Sequence, residues 1–87
     1  MSFIDVTNEM AALYERKNHD YGDSFSYTFE ILGTISAVTR MYDKMNRIIS
    51  LISKDQQKVN DESLRDTLID LANYAVMTIM EIDKRKG

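Results

Sequence analysis

From Thr34 to Lys86 the chain contains neither proline nor glycine, and before that stretch the only glycines are Gly22 and Gly33. Proline removes a backbone donor and glycine costs about 1 kcal/mol in a helix interior, so their scarcity leaves helix formation almost uninterrupted. Apolar residues recur at three- and four-residue spacing over the same stretches, with no sustained alternation that would suggest strands. The chain is therefore expected to be all-α, with its helices assigned by finding where the periodicity stops.

Ser2 followed by Asp5 fits a capping box, and Phe3, Val6, Met10, Leu13 and Tyr14 share one helical face, which predicts a first helix over roughly residues 3 to 18. Lys17 to Ser24 is dense in turn-forming residues, with Gly22 the expected left-handed position. A second helix, capped by Ser24 or Ser26, is expected from about 26 to 53. There Ile31, Ile35, Val38, Tyr42, Met45, Ile49 and Ile52 form a heptad seam, and Gly33 marks a close approach of another backbone. Lys54 to Asn60 is a polar connector in which Val59 and Asn60 serve as staple and cap. A third helix from about 61 to 84 carries Leu64, Leu68, Leu71, Ala75, Ile79 and Ile82 and ends on Lys84, Arg85 and Lys86. The expected fold is a single domain over residues 1–87. It is a three-helix hairpin or bundle in which two long antiparallel helices meet along the seam and the first lies across them. Ile69, Val76 and Met80 fall on another side of the third helix, which predicts self-association into a helical oligomer through that side.

Composition removes several classes of chemistry. The absence of cysteine excludes disulfides, thiolate zinc sites and cysteine nucleophiles, and a single histidine excludes a histidine-rich metal site. A net charge of −3 argues against nucleic acid as a partner of the whole molecule, although a local basic patch remains open. No apolar run approaches a membrane span and no basic, apolar leader opens the chain, so no membrane partner and a cytoplasmic location are expected.

Three groups of polar residues could carry chemistry. The turn offers nitrogen from Lys17 and His19, carboxylates from Asp20 and Asp23 and the hydroxyl-bearing ring of Tyr21, which together could hold a phosphate, a metal or a base, or else a helix cap and turn with a solvated rim. On the second helix Arg40, Asp43, Lys44 and Arg47 share a face opposite the seam. They are either a solvated set in which Asp43 pairs with Arg40 or Arg47, or a phosphate clamp, because guanidinium groups match phosphate oxygens bidentately. On the third helix Glu62, Asp66, Asp70 and Asn73 lie within about 80 degrees of one another. Carboxylates stacked one turn apart repel, so a positive group should sit opposite: magnesium, or the basic face of the second helix.

These blocks, Lys17-Asn18-x-Asp20-Tyr21-Gly22-x-Ser24, Arg40-x-x-Asp43-Lys44-x-x-Arg47 and Val59 to Ala75 with Asp61-Glu62-Ser63, Asp66-Thr67 and Asp70-Leu71-Ala72-Asn73-Tyr74, resemble the three signature blocks of the type 1 nucleotide modification associated domain. That family is found largely in phages and prophages, and the resemblance covers about residues 14 to 77. The family is in turn distantly similar to the all-alpha (MazG-like) nucleotide pyrophosphohydrolases, whose helix-borne carboxylates hold magnesium against a triphosphate. Those enzymes carry an adjacent Glu pair and a third Glu one turn on, where this chain has only isolated Glu9 and Glu15. What carries over is the nucleotide-type ligand rather than turnover.

Together with the small size, the surplus apolar face and charged blocks without an evident nucleophile, the resemblance leads to the expectation of a phage protein that holds a phosphate-bearing nucleotide-derived ligand between helices of a homo-oligomer in the host cytoplasm, sequestering a host defence signal without consuming it. Lys17, Asn18, Asp20, Tyr21, Ser24, Arg40, Lys44, Arg47 and Asn73 would bind it, with no catalytic residue and no cofactor. The alternative is a magnesium-dependent nucleotide pyrophosphohydrolase with Glu62, Asp66 and Asp70 as metal ligands, and a second alternative is a non-catalytic helical interaction module.

Overall fold

The computed structural model describes residues 1–21, 23–53 and 61–86, with the side chains of Asp20, Tyr21 and Asp61 outside that description. The protein is all-α: α1 (Phe3–Tyr21), α2 (Ser24–Leu32), α3 (Thr34–Ser53) and α4 (Asp61–Arg85), with no strand among the described residues. The expected turn at Gly22 and the connector with its Val59–Asn60 staple and cap lie outside the described residues.

The capping box forms: Ser2 N–H donates to Asp5 Oδ2 at 3.0 Å and Asp5 N–H to Ser2 Oγ at 3.1 Å. That reciprocal bond holds the Asp5 carboxyl below its ordinary range. α1 runs to Tyr21, past the expected stop at residue 18, and Phe3 is exposed rather than packed. α1 docks along α4 through Arg65 and Asn73, about two turns apart on α4. Arg65 donates two hydrogen bonds to Glu9 at 2.6 and 2.7 Å, and Asn73 Nδ2 donates to the Met10 carbonyl at 3.1 Å.

The long helix expected from 26 to 53 is two helices. α2 starts one residue after Asp23, the left-handed residue here (φ 64°), a conformation a short polar side chain tolerates; neither Ser24 nor Ser26 is the cap. The break falls at Gly33, whose φ of 78° and ψ of −163° lie in a region open essentially to glycine alone. Its N–H still closes α2 on the Phe29 carbonyl at 2.7 Å, and its carbonyl accepts the Ser36 N–H at 3.1 Å to begin α3. No neighbouring backbone is near: a Cβ built there would meet nothing within 4 Å. Gly33 is a hinge point in the chain path, and not a contact point.

Because of that break, α2 folds Phe25 and Phe29 onto α3 and α4. They are 6% and 4% exposed and surround a wholly buried Ala37, with Met41, Tyr74 and Met77 packed around them. The Phe25 ring stacks on Tyr74 at 5.8 Å and on Phe29 at 6.5 Å. α3 and α4 run antiparallel: early α3 meets late α4 at Ala37 and Met77, while later α3 meets earlier α4 where Lys44 reaches Asp70.

The expected seam is not where α3 meets α4. Ile31, Ile35, Val38, Tyr42, Met45, Ile49 and Ile52 are all exposed, as are Leu68, Ala75, Ile79 and Ile82. α3 carries a second heptad line, Ala37, Met41, Lys44, Ile48 and Leu51, and that line turns toward α4. The physical reason is size. Ala37 lets the helices and the Phe25–Phe29 pair approach closely, and a chain this short can cover only one of two adjoining apolar lines. The expected outer side of α4 is also revised: Ile69 is 6% exposed, covered within the chain, while Val76 and Met80 stay exposed.

Candidate functional site

Between the C-terminal half of α1, the start of α2, α3 and the middle of α4 lies a cleft of about 310 Å³. Its walls are Tyr14, Lys17 and Asn18 from α1, Ser24 and Phe25 from α2, Arg40 from α3, and Asp70, Asn73, Tyr74 and Met77 from α4. The residues arrive there by helical spacing. Tyr14, Lys17 and Asn18 are three and four apart, as are Asp70, Asn73, Tyr74 and Met77, so each helix presents one face to the same space.

One wall is aromatic. Phe25 and Tyr74 lie nearly parallel, 16° apart, and the Arg40 guanidinium sits 5.2 Å above the Phe25 ring. The ring quadrupole attracts the cation and helps hold Arg40 at the cleft without neutralising it. Among the described residues Arg40 has no carboxylate partner, so the expected pairing of Asp43 with Arg40 or Arg47 does not form. The other wall is ionic. Asp70 accepts from Lys17 Nζ at 3.0 Å and stands 3.3 Å from Lys44 Nζ, bridging α1 to α3 through α4. Three cations and one carboxylate therefore gather at one cleft on a chain whose net charge is −3.

Of the residues expected to bind a ligand, Lys17, Asn18, Ser24, Arg40 and Asn73 line the cleft, and Lys44 joins it through Asp70. Asn73 spends one N–H on Met10 and keeps its other amide positions for a ligand. Arg47 is exposed and does not line the cleft. The side chains of Asp20 and Tyr21 lie outside the described residues.

Tyr14, Phe25, Tyr74 and Met77 were not identified from the sequence as site residues. Tyr14 is expected in the core, the signal for Phe25 is its four-residue spacing from Phe29 directly after the turn, and Tyr74 and Met77 follow Asp70 and Asn73 at helical spacing.

The acidic stack divides. Asp70 is the carboxylate between two lysines, and the positive group expected opposite it is Lys17 with Lys44. Asp66 is exposed and lines a second hollow of about 420 Å³ with Glu9, Arg16 and Asp70, separated from the cleft by the Lys17–Asp70 pair. Glu62 is exposed one turn further toward the start of α4. Among the described residues no three His, Cys, Asp or Glu side chains gather as a metal centre.

A buried carboxylate that the spacing did not reveal lies near the end of α4. Glu81 is 4% exposed and accepts from Ser26 Oγ at 3.0 Å, Lys84 Nζ at 3.0 Å and Arg85 at 2.8 Å. Burial pushes its carboxyl up, but the bonds from Arg85, Lys84 and Ser26 together outweigh that and hold it below the ordinary glutamate range. It fastens α2 to α4 beneath the cleft, and Arg85 in turn covers the Phe29 ring at 4.8 Å.

Residues 17–82 match the family described as nucleotide modification associated domain 1. The chain belongs to that family. The matched span begins at Lys17 and takes in every cleft residue but Tyr14. Comparison with curated proteins and with solved structures finds no match. Among the described residues of this nucleotide modification associated domain, no helix is long and apolar enough to cross a membrane.

Proposed function

We propose that this nucleotide modification associated domain binds a phosphate-bearing, nucleotide-derived small molecule in the α1/α2/α3/α4 cleft and holds it unchanged. The observation that carries this reading is the juxtaposition of a stacked Phe25–Tyr74 wall with Lys17, Arg40 and Lys44 around one carboxylate. A flat apolar face suits a base, and cations suit phosphate. Asp70 engages two lysines, and α1 carries only isolated Glu9 and Glu15 where the pyrophosphohydrolases have an adjacent Glu pair, which supports retention over magnesium-dependent hydrolysis. In a phage such a protein would act in the host cytoplasm, withdrawing a nucleotide signal used in defence without needing a cofactor.

The test is mass spectrometry of small molecules released by denaturation from protein exposed to a nucleotide-rich cell extract. An intact nucleotide derivative released from the wild type and missing from Lys44→Ala supports the proposal. Magnesium-dependent cleavage of a nucleoside triphosphate, with product released in place of ligand, hands the site to the pyrophosphohydrolase reading.

A further inference from the structure

We infer that the outer face of the α3/α4 hairpin is the interface with a second copy of this chain, the two hairpins closing into a four-helix bundle. The face is continuous. In each helix the exposed apolar line lies one residue beyond the line that packs α3 against α4, and in an antiparallel pair a step of +1 turns both helices to the same side. The α3 positions from Ile35 to Ile49 and the α4 positions from Leu68 to Ile82 thus share one surface, on the side away from the ligand cleft, with no charged residue on either line.

The occupant follows from area and shape. A compact monomer of 10.1 kDa is expected to expose about 5,300 Å². This chain exposes 6375 Å², a surplus of about 1,100 Å² against the roughly 800 Å² per partner that a stable interface buries. Its radius of gyration is 14.4 Å, where about 12 Å is expected of a compact chain this long. The face also complements itself: its α3 line is bulky at Tyr42 and Met45, and its α4 line is small at Ala72 and Ala75. A two-fold axis that lays α3 of each copy over α4 of the other puts large residues on small ones, and the alternating four- and three-residue spacing is that of four-helix bundles. This replaces the Ile69/Val76/Met80 side expected from the sequence, since Ile69 is already buried within one chain.

Sedimentation of the unliganded protein reads the mass independently of any ligand, so its outcome is separate from that of the binding proposal. The wild type should sediment at twice the chain mass at micromolar concentration, and Ile49→Glu should halve it. Because Ile49→Glu could also unfold the chain, a second measurement uses the absence of native cysteine. Tyr42→Cys and Ala72→Cys chains, mixed and mildly oxidised, should form a mixed disulfide dimer, while Asp43→Cys with Ala72→Cys should not. A folded wild-type monomer, or a dimer that cross-links through Asp43→Cys in place of Tyr42→Cys, overturns the inference.

Discussion

Replacing Gly33 with alanine decides between two descriptions of the middle of the chain by the sign of one number. In a continuous helix a Gly→Ala change stabilises by about 1 kcal/mol. In the broken path, alanine must adopt φ 78° and ψ −163°, which costs about 1–3 kcal/mol, offset by a gain of about 0.4–1 kcal/mol from the stiffer unfolded chain. Steric collision adds nothing, because no atom lies within 4 Å of the new Cβ. The expected net effect is a loss of roughly 1–2 kcal/mol, or about 5–15 °C in melting temperature for a domain of this size. Circular dichroism melts of the two proteins at one fixed concentration provide the assay, since self-association would otherwise move the midpoint. A rise in midpoint would refute the break: alanine would then be extending one helix through residue 33, and Phe25 and Phe29 could not reach Ala37 as they do.

At the cleft, Arg40→Ala and Lys44→Ala should each weaken ligand binding by about 1–3 kcal/mol, while Arg47→Ala, outside the cleft, should leave it unchanged in calorimetry. Equal losses in all three would put the basic face, and not the cleft, in charge of affinity. Asp70→Asn should tighten binding of a phosphate-bearing ligand by about 1–2 kcal/mol, since a carboxylate about 6 Å from a phosphate repels it by up to about 3 kcal/mol before salt screening; weaker binding would contradict this. Glu81→Gln should destabilise by about 1–2 kcal/mol near neutral pH, because charge-assisted bonds to Lys84 and Arg85 become neutral ones. The Glu81 carboxyl is held below its ordinary value of 4.5 in the folded state, so its contribution is present above that value and disappears as pH falls through the folded one. Urea titrations should therefore show the two proteins converging in acid, and a gap that widens there contradicts the assignment.

What the residues disclosed and what they withheld have physical causes. The Ser2–Asp5 box and the α4 periodicity depend on neighbours one turn away, and both were readable. The break at Gly33 was not, because the helical cost of one glycine is small beside the packing of Phe25 and Phe29, which is a long-range term. Periodicity also shows that a line is apolar without saying what covers it: α3 has two such lines, and the bulkier one stays exposed in the chain while the other, through Ala37, meets α4. In the same way Lys17 and Asp70 could be named as candidates, but their pairing across 53 residues of sequence depends on how α1 docks.

The two faces of the α3/α4 hairpin tie the proposed binding to the proposed pairing. Arg40 lies one residue before the line that packs α3 on α4 and Tyr42 one residue after it, so a rotation of α3 by one residue would carry Arg40 out of the cleft and into the α3/α4 contact. Within one chain that rotation is opposed by a small set of contacts, since among the described residues the buried apolar core is Phe25, Phe29, Ala37 and Ile69. A second copy seated on Ile35 to Ile49 would fix the rotation from the other side and so preorganise Arg40 over Phe25. By linkage, the factor by which pairing would raise ligand affinity is the factor by which ligand would favour the paired form. The net negative charge of the chain as a whole thus says little about its cleft, where Arg40 is held over the Phe25 ring and Lys17 and Lys44 stand against Asp70.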